Sequence, residues 1–96
     1  MLAEIIAVGS ELLTPFRQDT NSLFLTEQLN SLGVAVVFKT IVGDRKTHLV
    51  QAVSYAVGRA DIVCVSGGLG PTEDDLTREA VAEALGVRRT RNGDLL

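Results

Sequence analysis

Ninety-six residues bound the chain to a single domain, because one hydrophobic core usually occupies about 100 to 200 residues. Nine lysines and arginines against twelve acids give a formal net charge of -3, which argues against broad binding along a nucleic-acid backbone and requires any bound anion to be held locally. A hydrophobic content of 46% argues against disorder, yet no apolar run approaches the roughly 18 residues of a membrane span. Met1-Leu2-Ala3-Glu4 also lacks the basic start of a signal peptide. The lone Cys64 has no partner for an internal disulfide and sits among apolar neighbours, so it reads as a small buried hydrophobe in a reducing compartment. A cytoplasmic protein without membrane or nucleic-acid partners is expected.

In chain order, Ala3 to Val8 (AEIIAV) is a short apolar run closed by Gly9, which predicts a buried strand. Ser22 to Leu32 places Leu25, Leu29 and Leu32 at helical spacing, with Gly33 where a helix end favours left-handed backbone. Val34 to Val42 is rich in β-branched residues and predicts a second strand ending at Gly43-Asp44. Asp44 or Thr47 can cap a second helix, on which Leu49, Val53, Ala56 and Val57 share a face before Gly58 ends it. Asp61 to Ser66 (DIVCVS) lacks alternation, as expected of a parallel strand covered on both faces. Leu76, Ala80, Ala84 and Leu85 define a third helix that stops at Gly86, and Val87 to Thr90 could begin another strand. Strands alternating with helices predict parallel pairing through right-handed crossovers, hence a three-layer α/β/α domain with a mainly parallel sheet. Arg88, Arg89 and Arg91 form a small basic cluster that reads as a solvated surface.

Parallel strands bring their C-terminal ends to one edge, and open α/β sheets bind ligands in the crevice outside it. Three groups therefore converge there: Gly9-Ser10-Glu11, Gly43-Asp44, and the run SGGLGPTEDDLT from Ser66 to Thr77. In that run Gly67, Gly68 and Gly70 let backbone N–H groups approach an anion, with Ser66, Pro71, Thr72 and Thr77 beside them, and the following helix start adds partial positive charge. It has neither the lysine of a P-loop nor dinucleotide-fingerprint spacing. Glu73, Asp74 and Asp75 would repel a phosphate unless a divalent cation such as Mg²⁺ intervened, which makes Asp74 and Asp75, with Asp44, candidate metal ligands. The plainer alternative is that Thr72 and Asp75 form a capping box and that Asp44 is an N-cap. Asp19 and Asn21, in the polar stretch before the first helix, can cap that helix or reach the ligand, whereas His48, alone on the second helix, reads as a surface residue.

AEIIAVGSELL (Ala3 to Leu13), DTNS (Asp19 to Ser22), VGD (Val42 to Asp44) and GGLGPTEDDLT (Gly67 to Thr77), in that order, resemble the start of the competence/damage-inducible protein A (CinA) family, within the molybdopterin-binding, MoaB/MogA-like superfamily. The resemblance runs nearly end to end. It implies a domain that binds a nucleotide or pterin-like phosphorylated ligand, and metal-dependent hydrolysis of the diphosphate of ADP-ribose or a related nucleotide. By motif position it implies Asp44 and Asp75 as catalytic or metal-binding residues, Gly67, Gly68 and Gly70 as the phosphate cradle, and Asp19, Asn21, Ser10 and Glu11 as further ligand contacts. It also implies that residues 1–96 are the N-terminal part of that domain, with the remainder and a separate amidase-like domain outside the chain. Two positions depart from the pattern: Thr14-Pro15-Phe16-Arg17 replaces a glycine-containing loop, and Glu73 stands where a lysine is common.

Two alternatives stand beside ADP-ribose hydrolysis: molybdopterin binding with adenylyl transfer in molybdenum cofactor assembly, and a non-catalytic assembly module. An exposed sheet edge after the third helix predicts association or poor solubility for these 96 residues alone, and a homo-oligomer is expected.

Overall fold

Strand β1 (Leu2–Val8) is buried from Ala3 to Val8 and takes the centre of the sheet. A computed structural model describes residues 1–67 and 71–85, with side chains of the last helix from Thr77 onward. Strands β2 (Ala35–Val42) and β3 (Ile62–Gly67) flank β1 in the order β2-β1-β3, and both pairings are parallel. Helices α1 (Thr20–Ser31), α2 (Lys46–Arg59) and α3 (Pro71–Leu85) complete the order. The step from β1 to β2 goes to one side and the step from β2 to β3 crosses back over β1, so right-handed crossovers put α1 and α2 on opposite faces. The predicted three-layer architecture with a parallel sheet is the one found.

Side-chain alternation along β1 separates two buried layers. Ile6 and Val8 point to the α2–α3 face, where they join Val42, Leu49, Ala52, Val53, Ala56 and Ala80 in the main core. Ala3, Ile5 and Ala7 point the other way and are equally buried. Glu4 lies on the α2 face and is fully buried, which a lone carboxylate could not be. Its Oε1 accepts from Arg59 Nε at 2.8 Å, and its Oε2 accepts from Arg59 Nη2 at 3.0 Å and Thr40 Oγ1 at 2.9 Å. A bulge in β2, where Ala3 faces Val36 but Glu4 faces Phe38, leaves Val37 as the extra residue. The Arg59 guanidinium lies over the Phe38 ring, 3.7 Å from its centroid. The end of α2 is thereby fixed to the two strands beneath it.

Helix ends mostly follow their predicted chemistry, with exceptions that have local causes. At the end of α1, Gly33 has φ 83°, its N–H donates to Asn30 O at 3.0 Å, and the N–H of Val34 donates to Leu29 O at 2.9 Å. Those two bonds are the Schellman pattern that a left-handed glycine permits. Leu32, expected on the buried face, instead falls in this turn and is exposed. Gly58 does not stop α2, which continues through Arg59 because that residue is anchored on Glu4. Val57 is exposed: Leu49, Val53 and Ala56 occupy the buried stripe, and the next position is rotated away from it. Strand β3, expected to be covered on both faces, is half-buried along its whole length, and Cys64 with it, since β3 is an outer strand among the described residues. The proposed strand at Val87 to Thr90 lies outside the described residues. No helix among them is long and apolar enough to cross a membrane.

The Arg59 hydrogen bonds hold the Glu4 carboxyl below the usual carboxylate range, against the opposing effect of burial. A carboxylate with a depressed folded pKa contributes stability that is complete above its unfolded value of about 4.3 and disappears as the pH falls through the folded value. Glu4→Gln is expected to cost about 1–3 kcal/mol at pH 7, since charged hydrogen bonds are lost while the partly exposed Arg59 regains water. Urea midpoints at pH 7 and pH 3 check this: the gap between wild type and variant should narrow at the lower pH.

Candidate functional site

The C-terminal edge of the sheet is assembled by the last residues of β1. Beyond Val8, the N–H of Gly9 donates to Val42 O at 2.8 Å and so extends the β1–β2 ladder by one bond. The chain then enters a 3₁₀ turn, Ser10–Leu13, closed by Leu12 N–H to Gly9 O at 3.1 Å and by Thr14 N–H to Glu11 O at 3.2 Å. This turn carries Ser10 across the end of β2. There the Ser10 hydroxyl donates to Asp44 Oδ2 at 2.9 Å and accepts from the Asp44 N–H at 3.3 Å. Gly43 fits beneath it; a Cβ there would stand 3.3 Å from Leu13 Cδ1 and 3.5 Å from Ser10 Oγ. Glu11 folds back over Gly9, its Oε2 lying 2.8 Å from where a Gly9 Cβ would be.

Asp44 is therefore no N-cap. Helix α2 begins at Lys46, the capping position is Arg45, and no side chain caps it, while Thr47 lies inside the helix. Three residues, Gly43 to Arg45, separate β2 from α2, which leaves the Asp44 carboxylate to meet Ser10, and both remain exposed.

On the other side of β1, Val8 faces Gly67. Gly67 has φ 97°, and a Cβ at that position would lie 2.2 Å from the Val8 carbonyl oxygen, so only glycine lets β3 end so close to β1. Ser66, half-buried, pairs with Ala7 one residue earlier and faces away from the α2–α3 layer. Gly68 and Gly70 lie outside the described residues. Pro71 opens α3, the position proline prefers, with Thr72 next in the helix, and the expected Thr72–Asp75 capping box lies outside the described side chains. Asp74 and Asp75 belong to the opening turns of α3, and Thr77 follows, half-buried.

Asp19 resolves to the helix-capping alternative. Its Oδ1 accepts from the Ser22 N–H at 3.1 Å, and its Oδ2 accepts from the Ser22 hydroxyl. Ser22 is the buried residue of α1, so this cap is sheltered. Asn21 is exposed on the first turn. The structure thus brings Gly9, Ser10, Glu11, Gly43, Asp44 and Gly67 to one edge. No group of three or more potential metal ligands occurs among the described residues. The Ser10–Asp44 bond had no sequence signal, because its partners are 34 positions apart and each has a local explanation of its own.

A parallel sheet in the order β2-β1-β3 with helices on both faces is the fold this chain shares with molybdopterin-binding domains. The chain belongs to that family: the family model described as "probable molybdopterin binding domain" matches residues 4–96. It is 71% identical to a CinA-like protein of Acidobacterium capsulatum over 96 residues, which are 100% of this chain and 23% of that protein. The crystal structure of the CinA protein from Thermoplasma acidophilum, described as having unknown function, is similar with a TM-score of 0.82 and 36% identity, over 88% of this chain and 50% of that one. The molybdopterin biosynthesis enzyme MoaB of Thermus thermophilus is similar with a TM-score of 0.76 and 26% identity, over 85% of this chain and 53% of its own. The chain therefore spans about a quarter of the CinA-like relative's length.

Gly67→Ala is expected to destabilise the domain by roughly 2–6 kcal/mol, from left-handed strain together with overlap on Val8. Asp19→Ala, which removes only the cap, should cost about 1 kcal/mol. Chemical denaturation of both variants beside wild type checks the order as well as the sizes.

Proposed function

We propose that the C-terminal edge of the sheet binds a phosphorylated, nucleotide-like small molecule, and that in the longer protein the diphosphate of ADP-ribose or a close relative is hydrolysed there with the help of a divalent cation. The reciprocal Ser10–Asp44 bond is the observation that carries this reading. It joins two strand ends at the edge where α/β sheets bind ligands, and it holds a carboxylate exposed at a fixed position. Gly67 ends β3 at the same edge with a left-handed backbone, and α3 begins at Pro71, whose helix start suits phosphate oxygens.

The oxygen chemistry of the set suits a hard cation. Asp44 would be one ligand, and Asp74 and Asp75, near the start of α3, are the further candidates. Such an ion would supply charge neutralisation on the diphosphate and activation of water. The chain's own contribution is positioning. Ser10 fixes Asp44, its hydroxyl donating to the carboxylate and accepting from the Asp44 backbone N–H. Glu11, folded over Gly9, keeps a second carboxylate beside the first strand turn.

Molybdopterin is the second ligand reading, supported by the family's description and by the likeness to MoaB. Both readings use the same edge and differ in the ring system bound. Calorimetric titration of ADP-ribose and of molybdopterin, each in Mg²⁺ and in EDTA, separates them from each other and from no binding. We expect Mg²⁺-dependent binding of ADP-ribose that Asp44→Asn weakens about tenfold or more, with little difference between the two proteins in EDTA. Preference for molybdopterin would reverse the order of the two readings. Release of phosphate products by the longer protein, followed by ³¹P NMR with and without Mg²⁺, tests the hydrolytic step.

A further inference from the structure

The segment that leaves the Ser10–Leu13 turn is fixed at both ends, yet it presents an aromatic ring left almost wholly open. Thr14 takes extended backbone, φ -103° and ψ 163°, which a following proline favours. Its hydroxyl donates to Glu11 O at 2.7 Å and accepts from the Phe16 N–H at 3.4 Å, and so holds the backbone of Phe16 against the turn that carries Ser10 and Glu11. Pro15 stiffens the step between them, and the Asp19 cap fixes the chain again at the start of α1. Within this short span Phe16 is 88% exposed, more than any other large hydrophobic residue among those described.

We infer that Phe16 is the stacking surface for the fused heteroaromatic ring of the ligand, an assignment that rests on the nucleotide-like reading of this edge. An exposed phenyl ring contributes little to the stability of its own fold, whereas a purine or pteridine laid on it takes the faces of both rings out of water. Its surroundings select a ligand ring as the occupant. Arg17 and Gln18 follow Phe16 directly and are exposed, and Thr14 stands before Pro15, so a single ring is set among polar groups. A protein partner would need a broad apolar patch there.

Position along the edge agrees. Gly67 ends β3 on one side of β1, whereas the Ser10–Leu13 turn crosses the end of β2 on the other. Two strand spacings, about 10 Å, separate those flanks. A nucleotide carries a sugar between its ring and its phosphates and spans such a distance, so a diphosphate at the start of α3 leaves the ring on the side of Phe16. Stacking is tolerant of ring identity, because every base or pteridine has a π-face. Phe16 therefore supplies affinity for a ring, and the choice between purine and pteridine lies with other groups.

Calorimetric titration of the longer protein in Mg²⁺ tests this with ADP-ribose, with molybdopterin, and with inorganic pyrophosphate, which has the phosphates and no ring. Phe16→Ala should weaken binding of whichever ring-bearing probe wild type takes by about tenfold or more, and should leave pyrophosphate affinity and the thermal midpoint unchanged. Phe16→Tyr, which keeps the ring, should bind as wild type does; Phe16→Leu, apolar but without a ring face, should not. Wild type that binds neither ring-bearing probe overturns the nucleotide-like reading and this assignment together. Wild-type affinity in Phe16→Ala or Phe16→Leu, weakened binding in Phe16→Tyr, or an equal loss for pyrophosphate overturns the assignment alone. A lower thermal midpoint in Phe16→Ala also overturns it, by showing that the ring packs inside the longer protein.

Discussion

The backbone of β1 is hydrogen-bonded along both edges, and every group at the ligand edge takes its position from the last residues of that strand. Val8 faces Val42 on one side and Gly67 on the other, and Gly9 adds one more bond to β2 before the chain turns. Parallel pairing needs a crossover for each added strand, so a central β1 commits the chain to helices on both faces and to three strand ends at one edge. Ser10 and Asp44 meet because the strands that carry them stop in register. Displacing β1 by one residue would exchange its two buried layers and break that register.

The two ends of this strand have opposite characters. At the N-terminal end a carboxylate is buried and must be matched by three hydrogen bonds, two of them from a guanidinium held against an aromatic ring. That arrangement joins β1, β2 and the last turn of α2, and it gives the domain its dependence on the charge of Glu4. At the C-terminal end, Ser10, Glu11 and Asp44 stay exposed at the edge of the sheet. The buried charged pair and the exposed polar edge thus lie at opposite ends of one element.

Relatives put this division in context. The solved CinA and MoaB chains share the fold over most of this sequence, while each is about twice the length aligned. Among the described residues β3 is half-buried along its length, and Leu23 and Phe24 of α1 are exposed. The outer flank of β2 differs from both in character: Lys39 is the one charge on the strand, the single tyrosine and the single histidine of the chain stand beside it, and a shaped groove borders it.

Periodicity and turn chemistry in the sequence determined the order of elements, the parallel sheet and the convergence of three glycine-bearing strand ends, because each of these follows from short-range spacing. Gly33 was readable as a helix end, since a left-handed terminus is a local requirement. Asp19 was readable only as one of two alternatives, and the Ser22 contacts decided for the cap. Tertiary structure alone decided that Asp44 binds Ser10 instead of capping α2, that Glu4 is buried against Arg59, and that Gly67 must lack a side chain because Val8 presses on it. These are contacts between residues far apart in the chain, and no local preference encodes them; they exist only once the strands are laid side by side.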